Sequence, residues 1–131
     1  MNNEENFILF KKMFEETFYN PKFKTRKFHE LDQDLEGLQD TIAGPFYSIY
    51  TNKNCDYVFE GDREVFKGIK SCEDYLNWCL DIIKDYKNMV NEIKACSEDE
   101  KEDKEVLLSK AIVMEKMSYL AFNIQNDILN E

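Results

Sequence analysis

Histidine, proline and glycine are scarce in this sequence, at one, two and four residues out of 131. So few glycines leave no phosphate-cradling loop. Neither Gly-x-x-x-x-Gly-Lys nor Gly-x-Gly-x-x-Gly occurs, so nucleotide hydrolysis of the common kind is not expected. Any Ser-His-Asp or Cys-His pair would have to use His29. No Gly-x-Ser-x-Gly elbow is present, and no cysteine sits in a nucleophile motif. Cys-x-x-Cys, His-Glu-x-x-His and the EF-hand loop are also missing, so no metal and no cofactor is expected. No run approaches the roughly 20 apolar residues that cross a bilayer. The first five residues are acidic and lack the basic start of a signal peptide. These features predict a cytoplasmic protein with no membrane partner. Its four cysteines, Cys55, Cys72, Cys79 and Cys96, are expected to be reduced. Cys72 and Cys79 fall on one face of a helix about 10 Å apart, too far to share one zinc ion, and read as small buried hydrophobes.

Positive charge is also in short supply. Seventeen basic residues stand against 27 acidic ones, a net charge of −10. A direct nucleic-acid binder carries a basic footprint, so that class is disfavoured, while an acidic excess attracts basic protein surfaces. The hydrophobic content of 43%, with ten phenylalanines, offsets the ordering entropy of a single domain spanning residues 1–131.

Apolar spacing predicts the order of elements. Phe7, Phe10, Phe14 and Phe18 recur at three or four residues and predict a helix over 4–19, stopped by Asn20-Pro21. Leu31, Leu35, Leu38 and Ile42 predict a second helix over 28–43, with Gly37 inside it and Gly44-Pro45 as its stop. Three β-rich segments follow at 46–50, 56–60 and 64–69, with turn residues between them, and predict an antiparallel meander. Ser71 then caps a helix reaching about residue 95, with Asp74 in the approximate capping-box position. Ser97 and Glu100 form a true capping box for the last helix, whose seam is Leu107, Ala111, Met114, Met117, Ala121, Ile124 and Ile128. The expected class is α+β, mostly α: N-terminal helices, a small three-stranded meander and a long C-terminal antiparallel helical hairpin, ααβββαα.

Two charged segments stand out. Residues 21–29 form the basic island, with Lys22, Lys24, Arg26 and Lys27 interleaved by Phe23 and Phe28. Such a pattern grips a nucleic-acid backbone, but acids follow at once, and the island reads as a connector whose cations pair with neighbouring carboxylates. The acidic run Glu98, Asp99, Glu100, Glu102, Asp103 and Glu105 lies at the expected hairpin tip. It is the candidate partner-binding feature, able to enter a basic cleft by charge-assisted bonds and electrostatic steering. A dipole-favourable, solvated first turn is the competing account of the same residues.

The whole profile is short, acidic, rich in Lys, Asn and Glu, and without a catalytic set. It resembles that of phage-encoded inhibitors of host defence nucleases, including some anti-CRISPR proteins, and equally that of immunity proteins that neutralise bacterial toxins. The resemblance is one of size and composition. It implies a non-catalytic inhibitor or adaptor that docks a basic surface of a nuclease or nucleoprotein complex. Three other classes remain open: a homo-oligomeric helical protein, a small-molecule-binding domain or enzyme with a pocket near Trp78, and a direct nucleic-acid binder using Lys22, Lys24, Arg26 and Lys27.

Overall fold

The computed structural model describes residues 3–52 and 71–129, with side chains described over 4–40 and 71–127. Among the described residues the chain forms four α-helices and one short 3-10 turn: α1 (Asn3–Phe18), the turn (Pro21–Phe23), α2 (His29–Asn52), α3 (Cys72–Asn91) and α4 (Glu98–Leu129).

The expected α+β class is therefore corrected to all-α. The first expected strand, 46–50, is the end of α2, which runs through Gly44-Pro45 to Asn52. Strands 56–60 and 64–69 lie outside the described residues. A short run of aromatic and β-branched residues does not distinguish a strand from a buried helical turn. A strand needs a ladder partner for its N–H and C=O groups, and no strand stands beside this segment among the described residues. A helix satisfies most of those groups internally, with only one N–H missing at a proline.

Local chemistry accounts for the ends of the other helices. After α1, the Asn20 side chain accepts from the Lys22 N–H and opens the 3-10 turn, with Pro21 in its first position. Ser71 caps α3 by accepting from the Asp74 N–H at 3.1 Å. At α4 the capping box is complete: the Glu100 N–H donates to Ser97 Oγ, and the Ser97 N–H donates back to Glu100 Oε1. Helix α3 stops at Asn91, short of the expected residue 95. Lys104 reaches across from α4 and donates to the Asn91 and Ile93 carbonyls, satisfying acceptors that the end of α3 leaves open.

Helix α4, about 48 Å long, is the hub against which α1, α2 and α3 each pack. Polar contacts set the directions. Residues 26–28 meet Asp103 and Asp32 meets Lys110, so α2 runs parallel to α4. Lys87 meets Glu115, and residues 91 and 93 meet Lys104, so α3 runs antiparallel to α4. The expected seam of α4 is the buried one: Leu107, Ala111, Met114, Met117, Ala121 and Ile124 enter the core. Phe10 and Phe18 of α1, Leu35 of α2, and Cys79, Ile83, Tyr86 and Val90 of α3 close around it. Each large apolar side chain buried this way contributes about 1.5–3 kcal/mol. Helices α2 and α3 touch each other only narrowly, which leaves a groove between them.

Candidate functional site

The acidic run at the start of α4 lies against the basic island, more than 70 residues earlier in the chain. Asp103 is buried, at 3% exposure. Its carboxylate accepts the backbone N–H groups of Arg26 at 3.0 Å, Lys27 at 2.6 Å and Phe28 at 2.9 Å. Burial alone would raise the pKa of Asp103. The three backbone donors, helped by nearby His29, more than reverse that and hold it below the usual carboxylate value. Asp99 takes the Arg26 guanidinium at 3.3 Å, Glu98 pairs with Lys101, and Glu100 is occupied in the capping box. Of the six candidate residues, Glu102 and Glu105 are exposed and form no ion pair with a described residue. Two of the six, Asp99 and Asp103, thus tie the connector before α2 to α4, and Asp103 is buried by doing so.

A second polar cluster was not singled out from the sequence. Lys110, 1% exposed, donates to Asp32 at 2.7 Å, with the Phe18 ring 5.8 Å below its ammonium. Thr25 donates to the other Asp32 oxygen from both its hydroxyl and its N–H, at 3.4 Å. The signal was present: Lys110 sits three residues after Leu107, inside the apolar seam, where a lysine needs a partner. The side-chain amide of Gln125 and the Nε2 of Gln39 are buried without a hydrogen-bond partner among the described residues.

The outer face of α2 carries charge of a different kind. No lysine or arginine occurs between His29 and Asn52. Asp32 turns inward, while Glu30, Asp34, Glu36 and Asp40 are exposed and form no ion pair with a described residue. Glu30 and Asp34 stand four apart, as do Glu36 and Asp40, an arrangement that destabilises a helix by about 0.2–0.5 kcal/mol per pair. Glu30, in the first turn, recovers part of this from the helix dipole.

Beside that face runs the α2–α3 groove, about 600 Å³ in volume and open to solvent. Leu38, Ile82, Tyr86 and Met89 supply its apolar surface, and Gln33, Asp34 and Asp85 edge it. Gly37 widens it, since a Cβ there would meet nothing within 4 Å. Tyr86 crosses beneath and donates from its hydroxyl to the Leu31 carbonyl at 2.8 Å. Burial first, and then the negative fields of Asp32 and Asp34, push the Tyr86 phenol well above its usual pKa. Helices α3 and α4 enclose a second, more polar hollow of about 500 Å³, crossed by the Lys87–Glu115 ion pair at 2.9 Å.

The remaining candidates fall as follows. His29 is exposed at the start of α2. Cys72 and Cys79 are buried and Cys96 is exposed; Cys55 lies outside the described residues. Burial raises the Cys79 pKa to about 12, so that sulfur stays protonated. Among the described residues no group of three or more His, Cys, Asp or Glu side chains is placed to hold a metal ion. No described helix is long and apolar enough to cross a membrane. No family model matches the chain, and neither a curated protein nor a solved structure matches it.

Proposed function

We propose that this chain is a non-catalytic acidic binding protein that docks a basic surface of another protein. Within that class, we read it as an inhibitor of a nucleic-acid-processing partner of the anti-CRISPR kind. The observation that supports the reading best is the outer face of α2, where Glu30, Asp34, Glu36 and Asp40 pair with no cation among the described residues. Such a face keeps its field for a partner, steers encounter and contributes charge-assisted bonds once docked. Nucleases present basic channels to their substrates, and a small domain carrying −10 is complementary to one. Because Asp103 is buried and Asp99 and Glu100 are engaged within the fold, we place the docking surface on α2 in preference to the start of α4.

DNA cleavage by purified RNA-guided effector nucleases, with the protein titrated in, tests this proposal. Cleavage is expected to stop near equimolar protein for the cognate effector. A variant carrying Glu30→Lys, Asp34→Lys, Glu36→Lys and Asp40→Lys should fail to inhibit while its circular dichroism is unchanged. Full inhibition by that variant removes α2 from the interface, and unaffected cleavage by every effector removes the nuclease reading.

A further inference from the structure

The α2–α3 groove has the form of a docking slot for a helix. On α3 its residues are Ile82, Asp85, Tyr86 and Met89, the i, i+3, i+4, i+7 stripe of one helical face. On α2 they are Gln33, Asp34, Gly37 and Leu38, two adjacent rows one turn apart. The slot follows α3 for about 10 Å and α2 for about 7 Å, up to two turns of a third helix laid along them. Met89 is 43% exposed, and a flexible thioether adapts to whatever apolar side chain packs on it. With no side chain at Gly37, an incoming side chain can reach the α2 backbone.

The charges at the edges select among occupants. Asp34 on one wall and Asp85 on the other are exposed, and neither pairs with a described cation. A second copy of this chain, also at −10, would bring like charge to both walls. A partner helix with apolar anchors flanked by lysine or arginine would fill the floor and pair both edges. We infer that the α2–α3 groove receives an amphipathic helix of a partner protein, with two apolar side chains seated among Leu38, Ile82 and Met89 and flanking cations on Asp34 and Asp85. This rests on the acidic-binder reading above and gives the basic surface a shape: a protruding helix, used in the helix-in-groove manner.

The test uses the full chain and a labelled peptide of about 16 residues, long enough to hold helix on docking. The peptide places leucine at i, i+3, i+4 and i+7 among lysines, and a scrambled peptide of identical composition is the control. Fluorescence anisotropy should show the amphipathic peptide binding at least about tenfold tighter than the scramble, with NMR shifts at the Ile82 and Met89 methyl groups. Gly37→Trp starts from a position where a Cβ meets nothing within 4 Å and projects a ring into the slot, and Met89→Glu places a carboxylate at an exposed position on the floor. Each should weaken the amphipathic peptide by about tenfold or more and leave the scramble unchanged. Equal binding of the two peptides, or undiminished binding by both variants, overturns the inference. If basic peptides then still respond to charge reversal on α2, the acidic-binder reading survives; if no basic peptide binds at all, both fall. A doubled mass in light scattering that Gly37→Trp returns to monomer assigns the groove to a second copy and also overturns the inference.

Discussion

The start of α4 and the outer face of α2 are both acidic, and they are built in opposite ways. At the start of α4, donors from a distant segment reach two of the carboxylates, Arg26 on Asp99 and three N–H groups on Asp103, while Lys101 of α4 itself pairs with Glu98. On α2 the carboxylates face outward in like-charged steps of four, with no ion pair to a described residue. The first arrangement stabilises the fold and spends its charge internally. The second is mildly unfavourable to the helix that carries it, and leaves its charge for something outside. A count of acids does not separate the two; the partners of each acid do. Asp32 serves as an internal control, because it belongs to α2 yet is turned inward onto Lys110.

The largest effect is expected at that control. Lys110→Met leaves Asp32 buried without its cation and should lower unfolding free energy by about 3–5 kcal/mol, read from urea denaturation. Adding Asp32→Leu should restore part of the loss, because an apolar pair of similar volume removes the unpaired charge while Thr25 loses the acceptor for its N–H and hydroxyl. If the double variant is as unstable as the single one, the inward carboxylate has a role beyond this ion pair and is no longer a fair contrast to its outward neighbours.

Next comes Asp103. Asp103→Ala strips the acceptor from three backbone donors and should cost about 2–4 kcal/mol, with Asp103→Asn intermediate. The pH dependence follows from the sign of its shift. The folded pKa lies below the unfolded value of about 3.9, so the stabilisation is complete above that value. It is lost as pH falls through the lower, folded pKa. Wild type should therefore lose stability on acidification below about pH 4 more steeply than Asp103→Ala, measured by denaturant midpoints at each pH. Parallel curves would mean that Asp103 is not the group linking the basic island to α4.

How much of this was legible beforehand varied with distance along the chain. The caps at Ser71 and Ser97 and the seam from Leu107 to Ile124 depend on residues three or four apart, and local spacing showed them. The end of α2 was misread, because aromatic and β-branched residues at 46–50 suit a strand as well as a helix and Gly44-Pro45 resembles a stop. The helix runs through both signals to Asn52, with no ladder partner for this segment among the described residues. Asp103 looked like one more acid in a run, since its donors lie about 75 residues earlier. Lys110 carried a readable warning as a cation in an apolar seam, but nothing local named Asp32 as its partner. The groove was invisible for a related reason: it exists because α2 and α3 both pack on α4 while scarcely touching each other.

The smallest effect is the most direct test of the comparison. Asp40→Lys converts the Glu36–Asp40 step from repulsion to attraction, with the glutamate on the favourable, N-terminal side. Stability should rise by about 0.5 kcal/mol, opposite in sign to any change at Asp103, while affinity for a basic partner falls. A destabilised Asp40→Lys would show that the fold does use this carboxylate, and the distinction between spent and available charge would then fail at α2. A gain in stability together with a loss in binding is the signature of a residue kept at some expense to its own helix. That pairing of opposite signs is what an internally neutralised acid such as Asp103 cannot produce.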